Sequence, residues 1–184
     1  MGRKILLKFM KKILLIIASK DFKDEEYFVT KEVLEDGGFY VETTSNISET
    51  AFGSDGSEAR IDLTLDEVNI DNYEGVFFIG GSGALKHLDN ETSYKIAKEV
   101  INSKKVLGAI CIAPIILAKA GVLDGKNATV WTSPLDKSPA KILEKHGAKF
   151  INEPVVKDGN IITGNGPSAA KKFGEKIVET LINW

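Results

Sequence analysis

Hydrophobic and polar positions alternate along this chain in two distinct ways. Short apolar runs of roughly four to eight residues predict strands, and they stand at 12–18, 39–45, 75–81, 106–110 and 128–132. Longer segments carry apolar residues three or four positions apart, the spacing of an amphipathic helix, and they stand at 24–38, 89–105, 112–123, 138–147 and 169–182. Strands and helices are therefore predicted to follow one another in alternation.

This alternation determines the class of fold. Successive strand–helix–strand units form right-handed crossovers, and repeated crossovers build a mainly parallel sheet with helices on both faces. Between the regular elements, residues 46–57 are polar and predict a loop or hairpin, and residues 59–65 predict a further strand. The "KDGN" turn at 157–160 joins two short strands. The prediction is a single α/β sandwich domain over residues 11–184.

The first residues have two interpretations. Basic residues followed by the apolar run 13–18 resemble the beginning of a signal peptide. Charged residues then follow at 20–23 instead of a small-residue cleavage site, which favours a buried first strand. Residues 1–10 are interpreted as an N-terminal extension or an alternative start at Met10. No run approaches the roughly 20 apolar residues of a membrane-spanning helix, so no membrane partner is predicted.

Composition excludes several classes of function. Of 184 residues, 43% are hydrophobic and 27% charged, which is typical of a globular domain. The net charge of −2 gives no broad attraction to nucleic acid, so no nucleic-acid partner is predicted. A single cysteine excludes an intramolecular disulfide and a multi-thiolate zinc site. A single cysteine fits a reducing compartment, so we expect a cytoplasmic protein. We also expect no metal site.

The single cysteine, Cys111, stands where the apolar run 106–110 changes to helical spacing. A lone cysteine is often a small buried hydrophobe, but one at a strand-to-helix turn can be a nucleophile. The start of a helix favours the thiolate. Gly80–Gly83 and the acidic residues 24–26 also follow predicted strands. Sites in parallel sheets form beyond the carboxyl ends of strands, so these groups are expected to converge.

Four stretches, in this order, resemble the PfpI/ThiJ/DJ-one superfamily over residues 11–181. They are "KILLIIASKDFKDEEY", "VFFIGGSGA", "VLGAICIAPIILAKAGVLDGK" and "VVKDGNIITGNGP". The resemblance implies a flavodoxin-like three-layer sandwich and a reactive cysteine at a nucleophile elbow. By position, Cys111 matches the nucleophile and Glu26 the glutamate bonded to its sulfur. Gly81 and the N–H of Ile112 match the oxyanion pocket, with Gly80 beside them. Asp24 and Glu25 are expected to be exposed neighbours.

The sequence departs from this pattern in its histidines. Relatives place a histidine directly after the cysteine or in the segment of Ser133, whereas this chain has Ile112 and Ser133 there. Only His87 and His146 remain, and a Cys-His-acid hydrolytic triad is therefore in doubt.

The resemblance implies a glyoxalase-like or deglycase-like enzyme. Its substrate would be a small reactive carbonyl, and it needs neither a metal nor an organic cofactor. A redox-responsive stress protein without turnover and an intracellular protease or amidase are the alternatives. A homodimer or higher homo-oligomer is also implied.

Overall fold

The computed structural model of the chain describes residues 10–184. Its strands are β1 (Lys12–Ile16), β2 (Lys20–Phe22), β3 (Tyr40–Ser45), β4 (Thr50–Gly53), β5 (Glu58–Arg60), β6 (Leu63–Thr64), β7 (Gly75–Phe78), β8 (Val106–Ile110), β9 (Asn127–Ala128), β10 (Lys149–Phe150), β11 (Val155–Asp158) and β12 (Ile161–Gly164). Its α-helices are α1 (Asp24–Asp36), α2 (Ala84–His87), α3 (Glu91–Asn102), α4 (Pro114–Lys119), α5 (Ser138–Lys145) and α6 (Ala170–Ile182). Residues 1–9 of the N-terminal extension interpreted above lie outside the described residues.

A seven-stranded sheet forms the middle layer of the fold. Its strand order is β11-β12-β8-β7-β1-β3-β6, and its pairs are parallel except for the antiparallel hairpin β11–β12. The order reverses around β1, because the chain first moves outward to β3 and later returns to add β7 and β8 on the other side. The predicted α/β class with a mainly parallel sheet is confirmed.

The core lies in two layers, one on each face of this sheet. Side chains of successive strand residues point to opposite faces, so β1 sends Ile13 and Leu15 to one layer and Leu14 and Ile16 to the other. The first layer packs against α1 and α6, and the second packs against α3, α4 and α5. Because both faces are covered, the central strands β7 and β8 are buried along their whole length.

Two predicted strands differ in the structure. The run 128–132 contributes only β9, which pairs with β10 outside the main sheet. Beyond it the chain crosses the end of β8, where the Trp131 N–H donates to the Cys111 carbonyl at 2.8 Å. The run 59–65 divides at Ile61 and Asp62 into β5 and β6, which belong to different sheets. Local periodicity carries no information about such a change of partner.

The predicted loop or hairpin at 46–57 is a hairpin that leans over the carboxyl end of β1. Strand β2 pairs in parallel with β4, and β4 pairs antiparallel with β5, so the three form a small separate sheet. Its turn, residues 54–57, lies beside the beginning of α1 through bonds to Asp24. The hairpin thereby forms one wall above the edge of the main sheet where β7 and β8 also end.

Candidate active site

Cys111 follows β8 with an unusual backbone conformation. Its φ of 62° lies in the left-handed region, which costs a non-glycine residue about 1 kcal/mol or more. Two hydrogen bonds hold it there, since its N–H donates to the Gly164 carbonyl at 2.9 Å and its carbonyl accepts from the Trp131 N–H at 2.8 Å. The half-buried thiol therefore leaves the strand at a sharp turn, three residues before α4 begins at Pro114.

Glu26 lies in the first turn of α1 and is fully buried. Its Oε2 accepts a hydrogen bond from the Gly80 N–H at 3.0 Å. Its Oε1 has no N–H or O–H partner among residues 10–184, and the carboxyl group instead contacts the thiol of Cys111. A buried polar atom without a conventional partner is costly, so this carboxyl oxygen is available for chemistry at the sulfur.

Two glycines allow this close approach. A Cβ at Gly80 would lie 2.6 Å from Cβ of Cys111 and 2.8 Å from Oε2 of Glu26. Gly81 has a φ of +116°, and a Cβ there would lie 2.4 Å from the backbone nitrogen of Lys23. A larger residue at either position would separate β7 from the thiol or from the start of α1.

The N–H groups of Gly81 and Ile112 act to lower the pKa of Cys111, and both residues line the same cavity as Cys111. These are the two donors that were predicted to form an oxyanion pocket, and that role stays a prediction; N–H groups in such a place would stabilise negative charge. The structure therefore brings together all five predicted site residues: Cys111, Glu26, Gly80, Gly81 and Ile112.

Burial raises the pKa of Glu26 to about 7, although hydrogen bonds from Cys111 and Gly80 and the charge of Lys23 act to lower it. Burial, followed by the adjacent Glu26 charge, also raises the pKa of Cys111, against the N–H groups of Ile112 and Gly81. The start of a helix was expected to favour the thiolate, and in this structure burial and the adjacent Glu26 charge act against that effect. The two groups share one negative charge near neutral pH. A thiolate forms there when Glu26 keeps the shared proton and donates it to the sulfur.

Asp24 was predicted to be an exposed neighbour, and it is buried instead. Its Oδ2 accepts from the Asp55 N–H at 2.8 Å, and its Oδ1 accepts from the Ser57 N–H at 2.9 Å. Burial alone would raise the pKa of Asp24, but these bonds outweigh burial and the pKa is lowered. Asp24 therefore fixes the β4–β5 turn, whereas Glu25 is exposed as predicted.

A cavity of about 440 Å³ opens above the thiol. Its wall is formed by Lys23, Glu26, Ser54, Gly81, Ser82, Leu85, Cys111, Ile112, Trp131 and Pro167. The wall is mostly neutral, and the volume lies within the range of small-molecule pockets. Trp131 was missed by the sequence analysis because its segment was interpreted as a strand. A larger cavity of about 580 Å³, between α1 and strands β3 and β5, does not include the cysteine.

Neither histidine lines the cavity of Cys111. His87 ends the short helix α2, and His146 follows the last residue of α5. The hydroxyl of Ser133 accepts from the Asp136 N–H at 3.0 Å, outside the cavity wall. A Cys-His-acid triad is thus not assembled in this structure.

Two kinds of feature are absent from residues 10–184. No cluster of three or more His, Cys, Asp or Glu side chains is arranged to hold a metal ion within this range. None of the helices in the same range combines the length and the apolar character needed to cross a membrane.

Comparisons with known proteins bear on the family and the fold of this chain. The sequence profile of the DJ-1/PfpI family matches residues 11–180. The chain belongs to the DJ-1/PfpI family. A ThiJ/PfpI domain protein from Brachyspira murdochii superposes with a TM-score of 0.90 at 30% identity, over 95% of this chain and 98% of that one.

Two family members carry names that state an activity. The deglycase PfpI of Pyrococcus furiosus is 28% identical over 168 residues, covering 91% of this chain and 98% of that protein. The glutathione-independent glyoxalase DJR-1.2 of Caenorhabditis elegans is 28% identical over 171 residues, covering 93% of this chain and 89% of that protein.

Proposed function

We propose that this protein is a cysteine-dependent enzyme that acts on small reactive carbonyls, with Cys111 as nucleophile and Glu26 as proton carrier. One observation carries the proposal: a buried carboxyl group, bonded through one oxygen only, lies against a thiol held in a left-handed turn. The names of the deglycase and the glyoxalase support the same reaction class.

The chemistry begins with addition of the Cys111 thiolate to the aldehyde carbon of an α-oxoaldehyde. A C–S bond forms, and the electron pair of the C=O bond moves to oxygen. The N–H groups of Gly81 and Ile112 stabilise that oxygen while charge develops on it. The proton held by Glu26 then neutralises it, which gives a hemithioacetal.

Glu26, now a carboxylate, removes the hydrogen on the former aldehyde carbon as a proton and returns it to the neighbouring carbon. The hydroxyl proton of the hemithioacetal passes to the former ketone oxygen, so that a thioester with a neighbouring hydroxyl group results. The aldehyde carbon is thereby oxidised and the ketone carbon reduced, so no external oxidant or reductant is needed. Water cleaves the resulting thioester to a 2-hydroxy acid and restores the thiol. Each proton transfer in this sequence uses the single buried carboxyl group.

The cavity also argues against the hydrolase alternative. Hydrolysis of a peptide needs a proton donor for the leaving amine, commonly a histidine. Neither imidazole of this chain lines the cavity. A small carbonyl has no leaving group of this kind, so the groups present match its chemistry better.

The test is turnover of methylglyoxal followed through formation of lactate. Wild-type protein is expected to form lactate without added metal or thiol, and Cys111→Ser is expected to form none while remaining folded by circular dichroism. Oxidation of Cys111 by peroxide without any turnover of carbonyls would instead support the redox-responsive alternative. Release of amine from amide substrates would support the hydrolase.

A further inference from the structure

Lys23 is the one cationic residue in the wall of the Cys111 cavity. It lies immediately before α1, and its N–H donates to the Gly80 carbonyl at 3.0 Å, which fixes its backbone beside the glycine loop. Its Nζ reaches the β4–β5 turn and bonds to Oδ2 of Asp55 at 2.7 Å. Ser54, which precedes Asp55 in the chain, is also part of the cavity wall.

The backbone of Asp55 is held firmly, whereas its side chain is not. The backbone of Asp55 is anchored by buried Asp24, but its side chain is 56% exposed and that of Lys23 is 29% exposed. Exposed ion pairs contribute little to stability. The Asp55 carboxylate can therefore leave the ammonium group without disturbing the turn, provided that another carboxylate takes its place.

The other charged group of the wall cannot provide that carboxylate. Glu26 is fully buried and engaged with Gly80 and Cys111. Burial raises the pKa of Glu26, and the charge of Lys23 acts in the opposite direction, so the ammonium acts electrostatically within the site. The rest of the wall is uncharged. A cation at the rim of a cavity whose only other ionisable wall groups are Cys111 and Glu26 favours an anionic ligand.

We propose that the substrate is an α-oxoaldehyde that bears a carboxylate on a short chain, and that this carboxylate binds Lys23 in place of Asp55 while the aldehyde carbon meets Cys111. The proposal rests on the proposed function and adds the substrate class. The Lys23–Asp55 ion pair then favours anionic carbonyl compounds over neutral ones. With 4,5-dioxopentanoate, addition of one water and the internal proton transfer yield 2-hydroxyglutarate, so the reaction balances without a further reactant.

The first experiment needs no turnover. Iodoacetate and iodoacetamide alkylate the same sulfur with loss of iodide, and they differ in one negative charge. The ratio of their rate constants therefore cancels the thiolate fraction and measures the attraction of the site for an anion. Lys23→Met is expected to lower the iodoacetate-to-iodoacetamide ratio roughly fivefold or more, and Asp55→Asn to raise it, because the competing carboxylate is gone.

Lys31→Met is the matched control. Lys31 lies on α1, the helix that Lys23 precedes, and pairs with Glu35, away from the Cys111 cavity. The Lys31→Met substitution changes the net charge by the same amount as Lys23→Met. It should leave the iodoacetate-to-iodoacetamide ratio within about twofold of the wild-type value. An unchanged ratio in Lys23→Met, or an equal fall in Lys31→Met, would overturn the proposal. Failure of the ratio to rise in Asp55→Asn would overturn the displacement of Asp55.

The second experiment measures kcat/KM for 4,5-dioxopentanoate, its neutral methyl ester and methylglyoxal. Lys23→Met is expected to lose about tenfold or more in kcat/KM with the acid relative to its methyl ester and to methylglyoxal, mainly through KM. Equal loss with all three would contradict anion selection. If wild-type protein turns over none of the three, the proposed function fails, and the alkylation ratio still decides whether Lys23 selects anions.

Discussion

Asp24 and Glu26 lie two residues apart in the first turn of α1, and both are buried, yet they differ in charge state. Both oxygens of Asp24 accept hydrogen bonds from the β4–β5 turn, and its pKa is lowered. Glu26 accepts one backbone hydrogen bond, from the Gly80 N–H, and burial raises its pKa to about 7. Burial alone thus does not decide ionisation. The number of backbone donors that meet each carboxyl group separates a structural anchor, Asp24, from the carboxyl group that we propose as a proton carrier, Glu26.

The largest expected effect comes from removing the proton carrier. Glu26→Ala should lower carbonyl turnover by about 10²- to 10⁴-fold, the usual contribution of a general acid–base group. Glu25→Gln and His146→Ala should leave kcat within about twofold, because neither side chain lines the cavity. The measurement is kcat with methylglyoxal. Loss of activity in His87→Ala as large as in Cys111→Ser, with folding intact, would contradict a mechanism without histidine.

Glu26 should also make stability depend on pH. Its pKa is raised in the folded state, so its contribution is fully present below the unfolded value of 4.5 and is lost as pH rises through about 7. The full loss corresponds to about 3 kcal/mol. Relative to Glu26→Gln, wild-type protein should therefore become less stable by up to that amount between these pH values.

Urea unfolding at several pH values measures this difference directly. Glu25→Gln is the matched control, since Glu25 is exposed and carries the same charge. A difference between wild-type protein and Glu26→Gln that stays constant from pH 4.5 to 8 would show that the carboxyl group is not held neutral by burial.

Asp24→Asn tests the other half of the comparison. An amide cannot supply two carboxylate acceptors to the turn amides, so the free energy of unfolding at pH 7 should fall by about 2 kcal/mol. The loss should shrink in acid, because the lowered pKa of Asp24 means that its stabilisation disappears as pH falls through that pKa. Thermal unfolding at neutral and acidic pH checks both parts. A larger loss in acid than at neutral pH would contradict the anchoring role.

The smallest effect is a change in a titration curve. If Cys111 and Glu26 share one proton, the rate of iodoacetamide alkylation should rise through pH 7, below the ordinary thiol value of about 8.5. Glu26→Gln should remove the inflection near pH 7, and Glu25→Gln should keep it. A wild-type inflection at or above the ordinary thiol value would exclude the shared proton.

Most of the sheet was predictable because its strands are buried on both faces and appear as continuous apolar runs. Strand β8 has the predicted bounds. Periodicity failed where a partner outside the local sequence decides the structure. Trp131 was predicted to lie in a strand, but its N–H donates to the carbonyl of Cys111 instead. The segment 59–65 was predicted to be one strand, but it divides between two sheets.

The same limit applies to the site. Cys111, Glu26 and the glycine loop were identified from motifs, and the structure brings them together. The burial of Asp24 was not predicted, because its partners are backbone amides about thirty residues away. Lys23 was missed as part of the wall, since its place depends on the same hairpin turn. The predicted homodimer and the predicted cytoplasmic location stay predictions.

The left-handed turn at Cys111 has a consequence for protein engineering. Glycine adopts this φ without the steric cost that cysteine bears, a difference of about 1 kcal/mol. A selection for heat resistance alone would therefore favour glycine at position 111 and remove the nucleophile in the process. Libraries intended to stabilise this protein must hold that codon fixed, since Cys111 is the residue that we propose as nucleophile.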